Sequence, residues 1–310
     1  MGVNTSYEDY ADEPDIHEAS LKENIAKLYH VEPEDVVITS GGSEAIFIVY
    51  SVFGRGGSAI VPLPNYEPMF AVPKLISMDV YDSLDTNLIS RGSIVGLTNP
   101  NNPTGKLIDE GTIEKMSRVA KAHGAYVFSN ETYREFQFKP AKEYPIHDLN
   151  NLIVCSSITK FYGLGRLRIG WLIAEKSKAR QLLLTKQLVS GHSSEYSMWI
   201  AKQVLERRNK FVEHAKRIYT ENIKIVKDFL IKADNISFEL PEAAPFFLVR
   251  YKDGPDSETF ARALLEEKGV LVSPGDYFGA PKSFRLCFTS DGSYLKAGLG
   301  ELLDFLAKKP

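Results

Sequence analysis

The chain has 310 residues, 37 Lys+Arg against 40 Asp+Glu, and a formal net charge of −3. At roughly 150 residues per domain there is room for two domains with a core that needs no disulfides or metals. The near-neutral balance argues against a general nucleic-acid or membrane-surface binder, and 44% hydrophobic with 25% charged residues excludes wholesale disorder.

The first fifteen residues, MGVNTSYEDYADEPD, are acidic and polar, unlike a signal or transit peptide. Residues 16–30 place Ile16, Leu21, Ile25, Leu28 and Tyr29 at helical spacing. The apolar run 36–39 ends in SGGS at 40–43, and an apolar helix follows until Gly54, Gly56 and Gly57 stop it. Further strands are expected at 59–63, 93–98, 125–129, 152–157 and 168–174, with helices between several of them, such as 109–123. This alternation indicates an α/β domain with a largely parallel sheet. Beyond residue 175 the texture changes. A long helical stretch, 199–233, leads to apolar segments at 238–241, 246–249 and 284–288, which read as a smaller α+β unit tied on by that helix. No apolar run approaches the ~20 residues that span a bilayer. The two cysteines, Cys155 and Cys287, make neither a disulfide framework nor a metal knuckle and point to a reducing, cytoplasmic location. The six histidines are scattered without metal-ligand spacing, so no metal is expected.

In open α/β sheets ligands bind at the carboxyl ends of the strands. The segments after the expected strands supply a glycine turn, the aromatic Tyr66, the amides around Asn102, Asn130 with Tyr133, and Lys160. Such a set could hold a phosphorylated planar ring beside a nucleophilic amine. Gly41 and Gly42 let backbone N–H groups approach an anion at a helix start; a tight turn with Ser43 as N-cap is the plainer alternative. The run GLGRLRIG at 163–170 lacks the glycine offset of a dinucleotide fingerprint. Lys160 has Arg166 and Arg168 nearby, and cations depress an amine's pKa, favouring the neutral nucleophile. Arg168 can also fork onto phosphate oxygens. An exposed lysine and a surface salt bridge are the ordinary readings of the same residues.

SSITK at 156–160, with Arg168 eight residues on, resembles the lysine motif of the class I/II aminotransferases, fold-type-I enzymes that use pyridoxal 5′-phosphate. NPNNPTG at 99–105 is similar to that family's NPxNPTG segment, and NETYREF at 130–136 to its DEAYxxF segment. PNY at 64–66, SPGDYFG at 273–279 and FRLCF at 284–288 follow the family's order, so the resemblance covers roughly residues 15–305. It implies a mixed, mostly parallel seven-stranded sheet flanked by helices, plus a smaller α+β domain. The large cofactor-binding domain would span 33–215, and the small one 216–310 together with 1–32. The implied activity moves an amino group from an α-amino acid to a 2-oxo acid, in a homodimer with shared active sites.

Carried over position by position, the resemblance makes Lys160 the residue that forms a Schiff base with the cofactor and later shuttles a proton. Ser157, Arg168 and the amides of Gly42 and Ser43 would bind the phosphate. Asn102 and Tyr133 would hydrogen-bond the ring oxygen, Tyr66 would stack on the ring, and Arg285 would clamp the substrate carboxylate. Tyr10, with Tyr7 competing, would reach the phosphate of the partner subunit. One position departs. Asn130 stands where the family carries an aspartate that keeps the ring nitrogen protonated. Unless Glu131 or a water substitutes, slow transamination is expected. The family is also usually longer, mostly at the N-terminal side, which implies a more open pocket here. The competing expectations are a decarboxylase of a phosphorylated amino acid, similar to threonine-phosphate decarboxylases, and a catalytically weak relative that retains the cofactor.

Overall fold

Side-chain alternation along seven short strands decides the architecture. The computed structural model describes residues 16–143 and 150–308. In it, β1 (Val36–Thr39), β2 (Ser58–Ile60), β3 (Asp79–Tyr81), β4 (Ile94–Thr98), β5 (Tyr126–Asn130), β6 (Leu152–Ser157) and β7 (Gly170–Ile173) form one sheet in the order β1-β7-β6-β5-β4-β2-β3. Strands β2 to β6 pair in parallel, while β7 runs antiparallel to both β1 and β6. This is the mixed, mostly parallel seven-stranded sheet that the resemblance implied. β3 was not foreseen: Asp-Val-Tyr on an edge, with two of three side chains exposed, has no apolar run to announce it.

The central strands are apolar on both faces, as strands covered on both sides must be. Val36, Val95, Val127, Val154 and Trp171 face α1 (Ile16–Tyr29), α4 (Glu110–His123) and α6 (Glu195–Glu206). Val37, Ile94, Phe128, Ile153 and Leu172 face α2 (Gly42–Phe53), α3 (Pro68–Leu75) and α5 (Lys176–Ser190). The second sheet is antiparallel, in the order β10-β11-β9-β8, from β8 (Ile236–Phe238), β9 (Phe246–Tyr251), β10 (Ser273–Pro274) and β11 (Ser283–Cys287). It packs Phe247, Val249 and Phe284 against α7 (Arg208–Leu230), α8 (Ser257–Lys268) and α9 (Gly292–Lys308). Alternation along β11 then turns Arg285 to the opposite face, away from this core and toward the large sheet.

Two sequence-based expectations need correction. Residues 199–233 are not one helix: α6 ends and α7 begins at Arg207, whose backbone (φ −103°, ψ 18°) leaves the helical region. Arg208 is drawn inward there, its Nε donating to Glu135 Oε2 at 2.8 Å and its Nη2 to the Lys139 carbonyl at 2.8 Å. Residues 16–29, assigned with 1–32 to the small domain, instead bury Leu21, Ile25 and Leu28 in the core of the large sheet. An arginine–aromatic contact holds them there, with the Arg134 guanidinium 3.9 Å from the Tyr29 ring centre. No helix among the described residues is long and apolar enough to cross a membrane.

Candidate active site

The carboxyl ends of β4, β5 and β6 open, as the strand-end rule requires, into a cleft of about 330 Å³ whose far wall belongs to the second sheet. At one end α2 begins. Gly41, not Ser43, is its N-cap, at φ +89°, a conformation glycine adopts without a steric penalty. A Cβ at Gly41 would stand 2.7 Å from Arg168 Nη2, so any other residue there would also push that guanidinium aside. Arg168 is held over the turn by Nη2 donating to the Ser40 carbonyl at 2.9 Å and Nη1 to the Gly165 carbonyl at 3.2 Å. Gly42, Ser43, Ser157 and Arg168 therefore line one end of the cleft, where helix-start amides and a cation favour an anion.

Lys160 opens onto the same cleft three residues after β6, and its amine has no hydrogen-bond partner among the described residues. Its pKa is pulled below the ordinary lysine value, first by loss of water and then by the positive charges of Arg285 and Arg168. Asn130 lies deeper, buried at the end of β5. Its Oδ1 accepts from the Thr132 backbone N–H at 3.2 Å and from Thr132 Oγ1 at 2.7 Å. Neighbouring Glu131 turns to the other face of the sheet, where its carboxylate accepts from Ser129 Oγ at 3.3 Å and lies 3.6 Å from Arg134 Nη1. The expectation that Glu131 could stand in for the missing aspartate is therefore not met.

The second sheet contributes Arg285. Its guanidinium lies between the rings of Phe246 and Phe278, 4.8 and 4.9 Å from their centres. Nη1 donates to Asn102 Oδ1 at 2.7 Å and Nη2 to Ser273 Oγ at 3.2 Å. Nε is buried with no hydrogen-bond partner among the described residues. Tyr133 packs edge-on against Phe246, and burial pushes its phenol well above the usual tyrosine value, so it stays protonated as a donor. Tyr66 lines the outer part, its backbone N–H fixed by Asn65 Oδ1 at 2.8 Å.

Ten of the expected site residues thus share one cleft: Gly42, Ser43, Tyr66, Asn102, Asn130, Tyr133, Ser157, Lys160, Arg168 and Arg285. Tyr10 and its competitor Tyr7 lie outside the described residues. Thr132, Ser273 and Phe278 also belong to the cleft. They stand inside quoted segments, but nothing in spacing alone marks them as supports. No group of residues able to hold a metal ion occurs among the described residues. A larger hollow of about 1000 Å³ along α4 borders Lys139 and Asn151, on either side of the undescribed residues 144–149, and contains neither Lys160 nor Arg285.

The donor set fits pyridoxal 5′-phosphate: an anion cradle at one end, a lowered amine beside it, an aromatic wall, a buried amide at depth and a cationic fork opposite. The family profile described as aminotransferase class I and II matches residues 5–301. An aspartate aminotransferase of Pyrococcus horikoshii is 27% identical over 297 residues, covering 89% of this chain and 76% of that relative. A histidinol-phosphate aminotransferase of Thermoanaerobacter sp. is 30% identical over 316 residues, covering 94% and 84%. A crystal structure of a PLP-dependent aminotransferase from Streptococcus suis superposes with a TM-score of 0.84 at 26% identity, covering 94% of this chain and 82% of that one.

Proposed function

The chain belongs to the class I and II aminotransferase family, and from that premise we propose that it transfers the amino group of an α-amino acid bearing a free carboxylate to a 2-oxo acid, with Lys160 as the proton carrier. It is a pyridoxal-phosphate-dependent transaminase. The bound cofactor supplies a conjugated ring that acidifies the substrate Cα–H. The Gly42 and Ser43 amides, Ser157 and Arg168 hold the phosphate. Tyr66 covers the ring face, while Asn102 and Tyr133 donate to the ring oxygen. Arg285 takes the substrate carboxylate as a two-pronged, charge-assisted pair. Lys160 Nζ, whose pKa is pulled down by its dry and cationic surroundings, would accept the proton from substrate Cα and return it at the carbon that was the cofactor's aldehyde. The observation that carries this reading is a lowered lysine amine sharing one cleft with a pinned arginine fork.

The same proposal includes a homodimer. Leu184, Leu188 and Val189 on α5 and Tyr196 and Trp199 on α6 are exposed, and apolar surface of this kind supports a protein partner. Two free thiols, Cys155 and Cys287, support a reducing cytoplasm. The test is borohydride reduction of the protein loaded with pyridoxal 5′-phosphate, followed by peptide mapping. The pyridoxyl group is expected on Lys160; a label on another lysine, or none, overturns the assignment. Released oxo acid rather than carbon dioxide separates transamination from the decarboxylase alternative.

A further inference from the structure

Asn130 closes β5 almost wholly buried. Thr132 donates to its Oδ1 twice, from N at 3.2 Å and from Oγ1 at 2.7 Å. A backbone N–H can only donate, so the atom it meets is the amide oxygen and the side chain cannot be turned round. What Asn130 has left for the cleft is Nδ2, which only donates. No anion makes up for the missing aspartate. Glu131 is committed to the opposite face of the sheet beside Arg134. The sole carboxylate among the described lining residues is Glu67, exposed at the start of α3 next to Tyr66 and not on β5.

We propose that Asn130, locked by Thr132, meets the cofactor's pyridine nitrogen as a hydrogen-bond donor and holds it unprotonated. The proposal rests on reading this cleft as the pyridoxal-phosphate site. With the phosphate at the start of α2 and the aldehyde at Lys160, the ring nitrogen, para to the aldehyde, points to the inner end of the cleft, where Asn130 stands. A lone pair that accepts an N–H cannot also bear a proton. A pyridinium buried there without a counter-charge is disfavoured by desolvation and by the Arg168 and Arg285 guanidiniums around the same cleft. The ring is therefore a weaker electron sink than an aspartate partner would make it. Asn130 touches the cofactor, and Thr132 acts through Asn130 as a positioning residue.

The experiment loads the protein with pyridoxal 5′-phosphate carrying ¹⁵N in the ring and follows the ¹⁵N resonance between about pH 6 and 9, the span of ordinary enzyme buffers around the histidine and cysteine reference values. The wild-type signal should stay in the range of neutral pyridine throughout. Asn130→Asp should move it into the pyridinium range and speed single-turnover amino-group transfer about tenfold or more, equivalent to about 1.4 kcal/mol. Thr132→Ala should weaken cofactor retention by a factor of about five, in line with the loss of one hydrogen bond, and Thr132→Ser should restore it. A wild-type resonance in the pyridinium range overturns the proposal even if the aspartate variant fails to fold. Undiminished retention in Thr132→Ala removes Thr132 from it. Failure to bind the cofactor at Lys160 in the borohydride test sinks the underlying site reading instead, so the two failures are distinguishable.

Discussion

Four contacts keep Arg285 still. Two aromatic faces fix the plane of the guanidinium, while Asn102 and Ser273 fix its rotation. Arg285→Lys preserves the charge but cannot keep the fork or the stacking. It should raise KM for the amino acid by about 10- to 100-fold, the equivalent of one or two charge-assisted hydrogen bonds, with cofactor affinity little changed; steady-state kinetics beside a cofactor titration checks this. Arg285→Leu adds an electrostatic effect. Arg285 disfavours the Lys160 ammonium, so removing it should raise the Lys160 pKa and move the pH profile of cofactor capture upward, whereas Arg285→Lys should leave it in place. At this scale the sequence was informative wherever a motif fixes a spacing, as for Lys160, Arg168 and Asn102. It was silent on Thr132 and Phe278, whose importance lies in which atoms they touch, the Asn130 amide oxygen and the Arg285 guanidinium.

Among the elements, β7 controls the geometry of the anion cradle. Its first residue, Gly170, pairs with Thr39 of β1 and Ser157 of β6, and a Cβ there would lie 2.8 Å from the Gly41 backbone and from the Ser156 carbonyl. Both are backbone atoms, so neither can swing aside. Gly170→Ala should cost about 1–3 kcal/mol, as overpacking does, and loosen phosphate binding at the same time; thermal unfolding and cofactor titration are the measurements. The strands around this point were legible because three consecutive apolar residues such as Val36–Ile38 or Trp171–Ile173 leave little choice in a two-sided sheet. The break at Arg207 was not, because nothing local stops the helix. A buried partner 73 positions away in the chain, Glu135, turns it.

That partner matters for the molecule as a whole. α7 packs Phe211 and Val212 on the large core and Val226 and Leu230 in the small one, so the boundary drawn at 215/216 falls inside a single helix. The ion pair of Arg208 with Glu135, at 2.6 Å and nearly dry, anchors the start of that rod. Arg208→Ala should destabilise the protein by about 3–5 kcal/mol, because it strands a buried carboxylate, and the double replacement Arg208→Met with Glu135→Leu should recover much of the loss; chemical denaturation of the set decides. The two-part architecture could be read from the change in texture after residue 175. The docking of α1 could not, since an amphipathic helix does not announce which core it will join. A hydrogen bond crosses between the parts at the reacting centre: Asn102 from the large one accepts from Arg285 of the small one. With the Phe246 and Phe278 rings against it as well, the guanidinium is tied to both parts of the molecule, so any shift of one part against the other would move this cation relative to the Lys160 amine.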